Sequence, residues 1–99
     1  MNVHYTLHEI QFEWDRAKAE ANFIKHHVEF ETACEAFFDP FIYALDIEQH
    51  DSESRETFLG MTLQWSVLYV VYTIRQGDTF RIISARPATA AERRSYEEQ

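Results

Sequence analysis

Six of the nine basic residues fall after Ser54, and all six are arginines: Arg55, Arg75, Arg81, Arg86, Arg93 and Arg94. Arginine carries a permanent charge and a planar fork of five donors that matches the oxygens of a phosphate. Residues Met1–Ser54 hold three basic against twelve acidic side chains, whereas Arg55–Gln99 hold six against five. The net charge of −8 therefore conceals a polarised chain. An acidic total runs against a general nucleic-acid binder, but a local cationic patch suits a small anionic site. His26, preceded by Lys25, adds a group whose ordinary pKa of about 6.5 suits proton transfer near neutral pH. The bland alternative is that a histidine ending a helix simply complements the helix dipole.

Other chemistries find little support. Ser84 lacks a Gly-x-Ser-x-Gly elbow and reads as a hydrogen-bonding residue rather than a nucleophile. His4, His8 and Glu9 do not form a His-Glu-x-x-His pattern, and His50-Asp51 lies in an acidic stretch, so no metal site is expected. No cofactor is expected either, since there is no glycine-rich phosphate loop and no paired-carboxylate signature. Trp14 alternates with Ile10 and Phe12 and reads as core; Trp65, near a turn, reads as an exposed contact.

At 99 residues the chain is expected to be a single domain, 1–99, with 1–11 as an N-terminal extension. Eight Phe, five Tyr and two Trp supply a core, and two Gly with two Pro argue against disorder. The single Cys34 reads as an ordinary buried thiol in a reducing compartment. The absence of a long apolar run or signal segment points to a cytoplasmic protein without membrane contact.

The alternating Ile10, Phe12 and Trp14 predict a strand, and Asp15 an N-cap for a helix over 16–26 with Ala17, Ala21 and Ile24 on its apolar stripe. Phe30, Ala33, Cys34 and Phe37 predict a second helix ending at Asp39-Pro40. The period then changes to two. Strands are predicted at 41–46, 55–63, 66–75 and 79–86, with an acidic loop over 47–54 and a hairpin turn at Gln76-Gly77-Asp78. Thr89-Ala-Ala-Glu92 is a capping box opening a last helix. The order β-α-α-β-β-β-β-α is an α+β domain with helices packed on a small antiparallel sheet.

On a regular strand Arg81 and Arg86 point to opposite faces, unless a bulge or the strand's end intervenes. One then faces a site and the other a structural or partner-facing ion pair; Arg86 either binds phosphate where the sheet gives way to the loop or pairs with Glu92 or the acidic N-terminal half. Arg55 either closes the far side of the site or is a solvated strand-end charge. Arg75 beside a turn reads as an exposed hairpin charge, and Arg94 as solvent-exposed. Arg93 and Tyr96, three apart, share a helix face, with Tyr96 either meeting a phosphate or base or packing the helix on the sheet.

Phe12-Glu-Trp-Asp15, Asn22 with Lys25-His26, Phe30 with Ala33, Phe37 before Asp39-Pro40, Arg55 with Gly60, and Arg81-Ile-Ile-Ser84-Ala-Arg86 with Ala88, Glu92-Arg93 and Tyr96 together resemble the BrnT-type ribonuclease toxins. The resemblance implies a RelE-like fold and metal-independent RNA cleavage that inhibits translation. It also implies neutralisation by a ribbon-helix-helix antitoxin, with promoter DNA bound only through that complex. On this basis His26, Arg55, Arg81 and Arg86 are expected to be catalytic, and Lys25, Ser84, Arg93 and Tyr96 to bind substrate. A non-catalytic antitoxin-binding module or transcriptional co-regulator is the alternative. Two departures stand out: His27 replaces the family's usual Gly after Lys-His, a substitution that costs something only if the position needs positive φ, which His tolerates better than most residues but less well than Gly, and Met1–Gln11 is longer than usual and inherits no role.

Overall fold

The computed structural model describes all residues, 1–99. Its nine elements are β1 (Asn2–Leu7), β2 (Ile10–Asp15), α1 (Arg16–His26), α2 (Phe30–Ala36), β3 (Tyr43–His50), β4 (Glu53–Met61), β5 (Val67–Arg75), β6 (Thr79–Pro87) and α3 (Ala90–Glu97). The strands form one sheet in the order β1-β2-β6-β5-β4-β3. The α+β class and the succession of elements from β2 onward match the sequence reading.

Local signals account for the helices. Asp15 accepts a hydrogen bond from the Lys18 N–H, the side-chain cap that starts α1. His27 closes it in the left-handed conformation, φ 60°, with its N–H donated to the Phe23 carbonyl. Histidine tolerates this region less well than the glycine usual there. In α3 both halves of the capping box form between Thr89 and Glu92.

Three expectations need correction. The 1–11 segment is not a loose extension: all of β1 pairs antiparallel with β2, from Asn2 opposite Asp15 to Leu7 opposite Ile10. The intervening turn, His8-Glu9, has φ of 50° and 68° without a glycine, so the usual hairpin signature is missing. The expected loop over 47–54 is likewise a hairpin between β3 and β4, turning at Asp51 with φ 58°. Its polar run disguises a strand because β3 meets solvent on both faces there: Asp46, Ile47, Glu48, Gln49 and His50 are all exposed. Third, the sheet is mixed rather than wholly antiparallel: β2 runs parallel to β6 with Gln11, Phe12 and Glu13 opposite Thr79, Phe80 and Arg81.

One face of the sheet is covered by α1 and α2. Phe12, Trp14, Phe30, Ala33, Cys34, Phe58, Val70, Ile82 and Ala85 form the principal core there. The other face is covered only at one end, where α3 seats Tyr96 and Ala88 against Leu59 and Val67. The rest of that face is open. The stripe expected for α1 is also reversed, since Ala17, Ala21 and Ile24 are exposed and the helix buries Asn22. The Asn22 amide donates to the carbonyls of Ala85 (2.8 Å) and Val28 (3.1 Å), and its oxygen accepts from the Ala85 N–H (3.2 Å). A polar side chain thus serves β6 as a missing strand would, satisfying buried backbone groups beyond the end of β2.

Gly60 fixes how closely α2 approaches β4. A Cβ there would lie 2.7 Å from the Ala36 carbonyl oxygen and 2.8 Å from the Phe58 ring. Gly60→Ala is therefore expected to destabilise the protein by about 1–3 kcal/mol through overpacking against backbone, read as a lowered urea midpoint; an unchanged midpoint would show that α2 is not held this tightly.

Candidate functional site

The open face takes its character from one irregularity. In the β5–β6 pair, Tyr72 lies opposite Ile82 but Val71 lies opposite Ser84, so Ile83 is an extra residue on β6. A bulge of this kind shifts the alternation by one. Arg81 opposite Thr73, Ser84 opposite Val71 and Arg86 opposite Tyr69 consequently share a face, while Ile82 and Ala85 enter the core. The two arginines, five residues apart, come to one side.

Arg55 completes the row. It sits opposite Glu48 of β3 and one residue before Glu56, which pairs with Tyr72. It therefore flanks Thr73 from the side opposite Arg81, at about 10 Å from it, two strand spacings. Thr73 between them is only 1 % exposed although it lies on the uncovered face, as expected when long side chains fold their stems across a short one. Its hydroxyl donates to the Ser54 carbonyl at 2.7 Å.

The arginines differ in what already holds them. Arg81 Nη1 donates to Glu13 Oε2 at 2.7 Å, in a half-buried ion pair, and Nη2 donates to Asn2 Oδ1 at 3.3 Å. Arg86 makes a two-pronged contact with Glu92, at 2.8 and 2.9 Å, while its guanidinium lies 4.0 Å from the Tyr69 ring centroid. The charge-assisted hydrogen bonds from Arg86 hold the Glu92 carboxyl at about 2, against the opposing effect of burial and with help from the Thr89 N–H. Arg55 forms no ion pair, and its Nε is buried without a partner. It is the uncommitted cation of the face. Arg75, as expected at a hairpin end, is exposed and pairs with Glu53 at 3.0 Å.

The other expected residues divide. Ser84 is half-buried on the open face. His26 stands one helical turn beyond Asn22 on the same side of α1, and Asn22 grips Ala85, the residue between Ser84 and Arg86. Lys25 beside it is exposed. No hydrogen bond or ion pair joins His26 to the arginines. Arg93 is exposed on α3. Tyr96 departs from the expected substrate contact: it is 7 % exposed, and its hydroxyl donates at 2.5 Å to Asp39 Oδ2, which also accepts from the Met61 N–H at 2.7 Å. Burial first, then this bond, push the phenol up to about 12. Tyr96 packs α3 on the sheet.

Glu13 and Asn2 escape a search for cationic chemistry because neither is basic. Glu13 was detectable in principle, since alternation with buried Phe12 and Trp14 places it on the opposite face. His4 lies on that same face, opposite Glu13. No three His, Cys, Asp or Glu side chains converge in a cluster that could hold a metal ion.

Fold and face together define a single-sheet α+β protein with arginines gathered on its uncovered side. The family described as "Ribonuclease toxin, BrnT, of type II toxin-antitoxin system" matches residues 14–92. The chain belongs to this family of ribonuclease toxins. It is also similar to the 1.1 Å crystal structure of the Brucella abortus ribonuclease toxin, BrnT, with 20 % identity, a TM-score of 0.52, and 77 % of this chain and 92 % of that one covered. That likeness supports the fold. No curated protein matches the chain. The strand β1 and most of β2 precede the family match, so Asn2 and Glu13, which hold Arg81, lie outside it.

The ordinary pKa of Glu92 is 4.5 and its folded value about 2, so the pair with Arg86 stabilises fully above the former and its contribution is lost as pH falls between the two. A Glu92→Gln variant is expected to melt below the wild type at pH 6 and to converge on it as pH falls from 4.5 toward 2. A constant difference across that window would show that the carboxylate is not what holds Arg86.

Proposed function

We propose that this protein is a metal-independent endoribonuclease toxin of RelE-like fold that cuts RNA in the cytoplasm, inhibits translation and is silenced by a ribbon-helix-helix antitoxin. Promoter DNA is engaged only through the toxin–antitoxin complex. The observation that carries the reading is the bulge at Ile83, which sets Arg81, Ser84 and Arg86 on one open face beside the unpaired Arg55.

In this reading the RNA supplies its own nucleophile. The 2′-oxygen attacks the adjacent phosphorus and gives its proton to a base. The bond from phosphorus to the 5′-oxygen breaks, and that oxygen takes a proton, leaving a 2′,3′-cyclic phosphate and a 5′-hydroxyl. Charge grows on the non-bridging oxygens, and preorganised cations stabilise it most when they need not rearrange. Arg55 is the first phosphate ligand because nothing competes for its terminal donors. Arg81 and Arg86 arrive with orientations fixed by Glu13 and Glu92, and each guanidinium has more donors than its carboxylate uses. Ser84 donates to a phosphate oxygen. His26 moves the proton, and Lys25 and Arg93 hold the backbone of the RNA at the margin of the face.

Cleavage of a single-stranded RNA by the purified protein in chelator is expected, with Arg55→Ala slowing it by about 10²-fold or more at unchanged stability. Intact RNA with wild-type protein, with or without ribosomes, would contradict the reading. One observation favours a non-catalytic antitoxin-binding module instead: Arg81 and Arg86 are both ion-paired. Such a module should leave cells growing normally when expressed without its partner, whereas the nuclease should arrest them.

A further inference from the structure

The reversal of the α1 stripe leaves an apolar surface without a use. Val3 and Trp14 of the β1–β2 hairpin, Ala19, Phe23 and Ile24 of α1 and Phe30 of α2 line an open groove of 790 Å³. Phe23 is 46 % exposed and Ile24 77 % exposed. Around them stand Glu20, Glu29 and Glu31 against a single Arg16. None of these four charges is ion-paired within the chain. Val3 and Trp14 pair on the side of the principal core, so the groove lies on the helix side of the sheet, away from the arginines.

Charge selects the occupant. An RNA strand or an anionic membrane would meet three uncompensated carboxylates. A second copy would bring another net −8 and an equally acidic rim. An apolar segment flanked by cations instead covers Phe23 and Ile24 and gains complementary partners for the glutamates. An open apolar groove with a charged rim is the kind of surface that takes one face of an amphipathic helix, read as apolar anchors one turn apart.

We propose that this groove is the docking site for a basic amphipathic helix of the antitoxin, whose apolar anchors seat against Phe23, Ile24 and Trp14 while its Lys or Arg side chains meet Glu20, Glu29 and Glu31. The inference rests on the reading of this chain as a toxin with a protein antitoxin and adds where that partner is held. A helix seated there leaves the arginine face uncovered.

The test is calorimetric titration of the full chain with a purified ribbon-helix-helix antitoxin, using wild type, Ile24→Asp, and Glu20→Lys with Glu31→Lys. All three altered positions are exposed, so the variants are expected to melt like the wild type and to keep RNA cleavage. Each is expected to weaken binding at least tenfold, with the lysine variant also losing most of the salt dependence. Wild-type binding matched by both variants would overturn the groove and leave the toxin–antitoxin reading intact. No binding by the wild type would overturn both. A wild-type homodimer in sedimentation that Ile24→Asp dissociates would also overturn the proposal, by giving the groove to a second copy.

Discussion

An offset of five residues along a regular strand carries two side chains to opposite faces, and the arginine face exists because Ile83 breaks that rule. Its insertion opposite the Val71–Tyr72 step turns Ser84 and Arg86 to the side of Arg81 while keeping Ile82 and Ala85 in the core. Without the extra residue, a choice would be forced between burying Arg86 under α1 and α2 and exposing Ala85. Burying an unpaired guanidinium is among the most costly events in a protein interior. The bulge is thus fixed from the core side by packing, and from the open side by Glu92 and Tyr69, which take up Arg86.

Asn22 ties that strand to the rest of the molecule. By giving the Ala85 N–H and carbonyl a partner where β2 no longer runs alongside, it lets β6 continue past its neighbour without orphaned backbone groups. The same contact sets α1 against the bulged segment on the core side of the sheet. It also frees the apolar side of α1, because a helix anchored by a buried amide needs no apolar stripe there. The docking of α1 on β6 and the exposed groove are two consequences of one polar anchor.

The extent to which the sequence reveals this follows from which signals are local. Caps are local: Asp15 and the Thr89–Glu92 box fix the starts of α1 and α3. So is the apolar run Val67–Tyr72, which correctly reads as a central strand. The hairpins at His8-Glu9 and Asp51 were hidden because non-glycine residues occupy positive φ there. The bulge was visible only as a condition on the arginines, since a register shift depends on the partner strand. Tyr96 looked available because its spacing from Arg93 is helical, but Asp39, 57 residues away, claims its hydroxyl.

The proposed nuclease site requires Arg55, Arg81 and Arg86 to receive one RNA backbone together. Arginine side-chain NMR during titration with a 2′-O-methyl oligoribonucleotide, which cannot supply the attacking hydroxyl, tests this directly. The guanidinium signals of all three residues should move along one saturation curve, with Arg55 shifting most and Arg75 unaffected. Shifts confined to the exposed Arg93 and Arg94, with the three face residues silent, would contradict it.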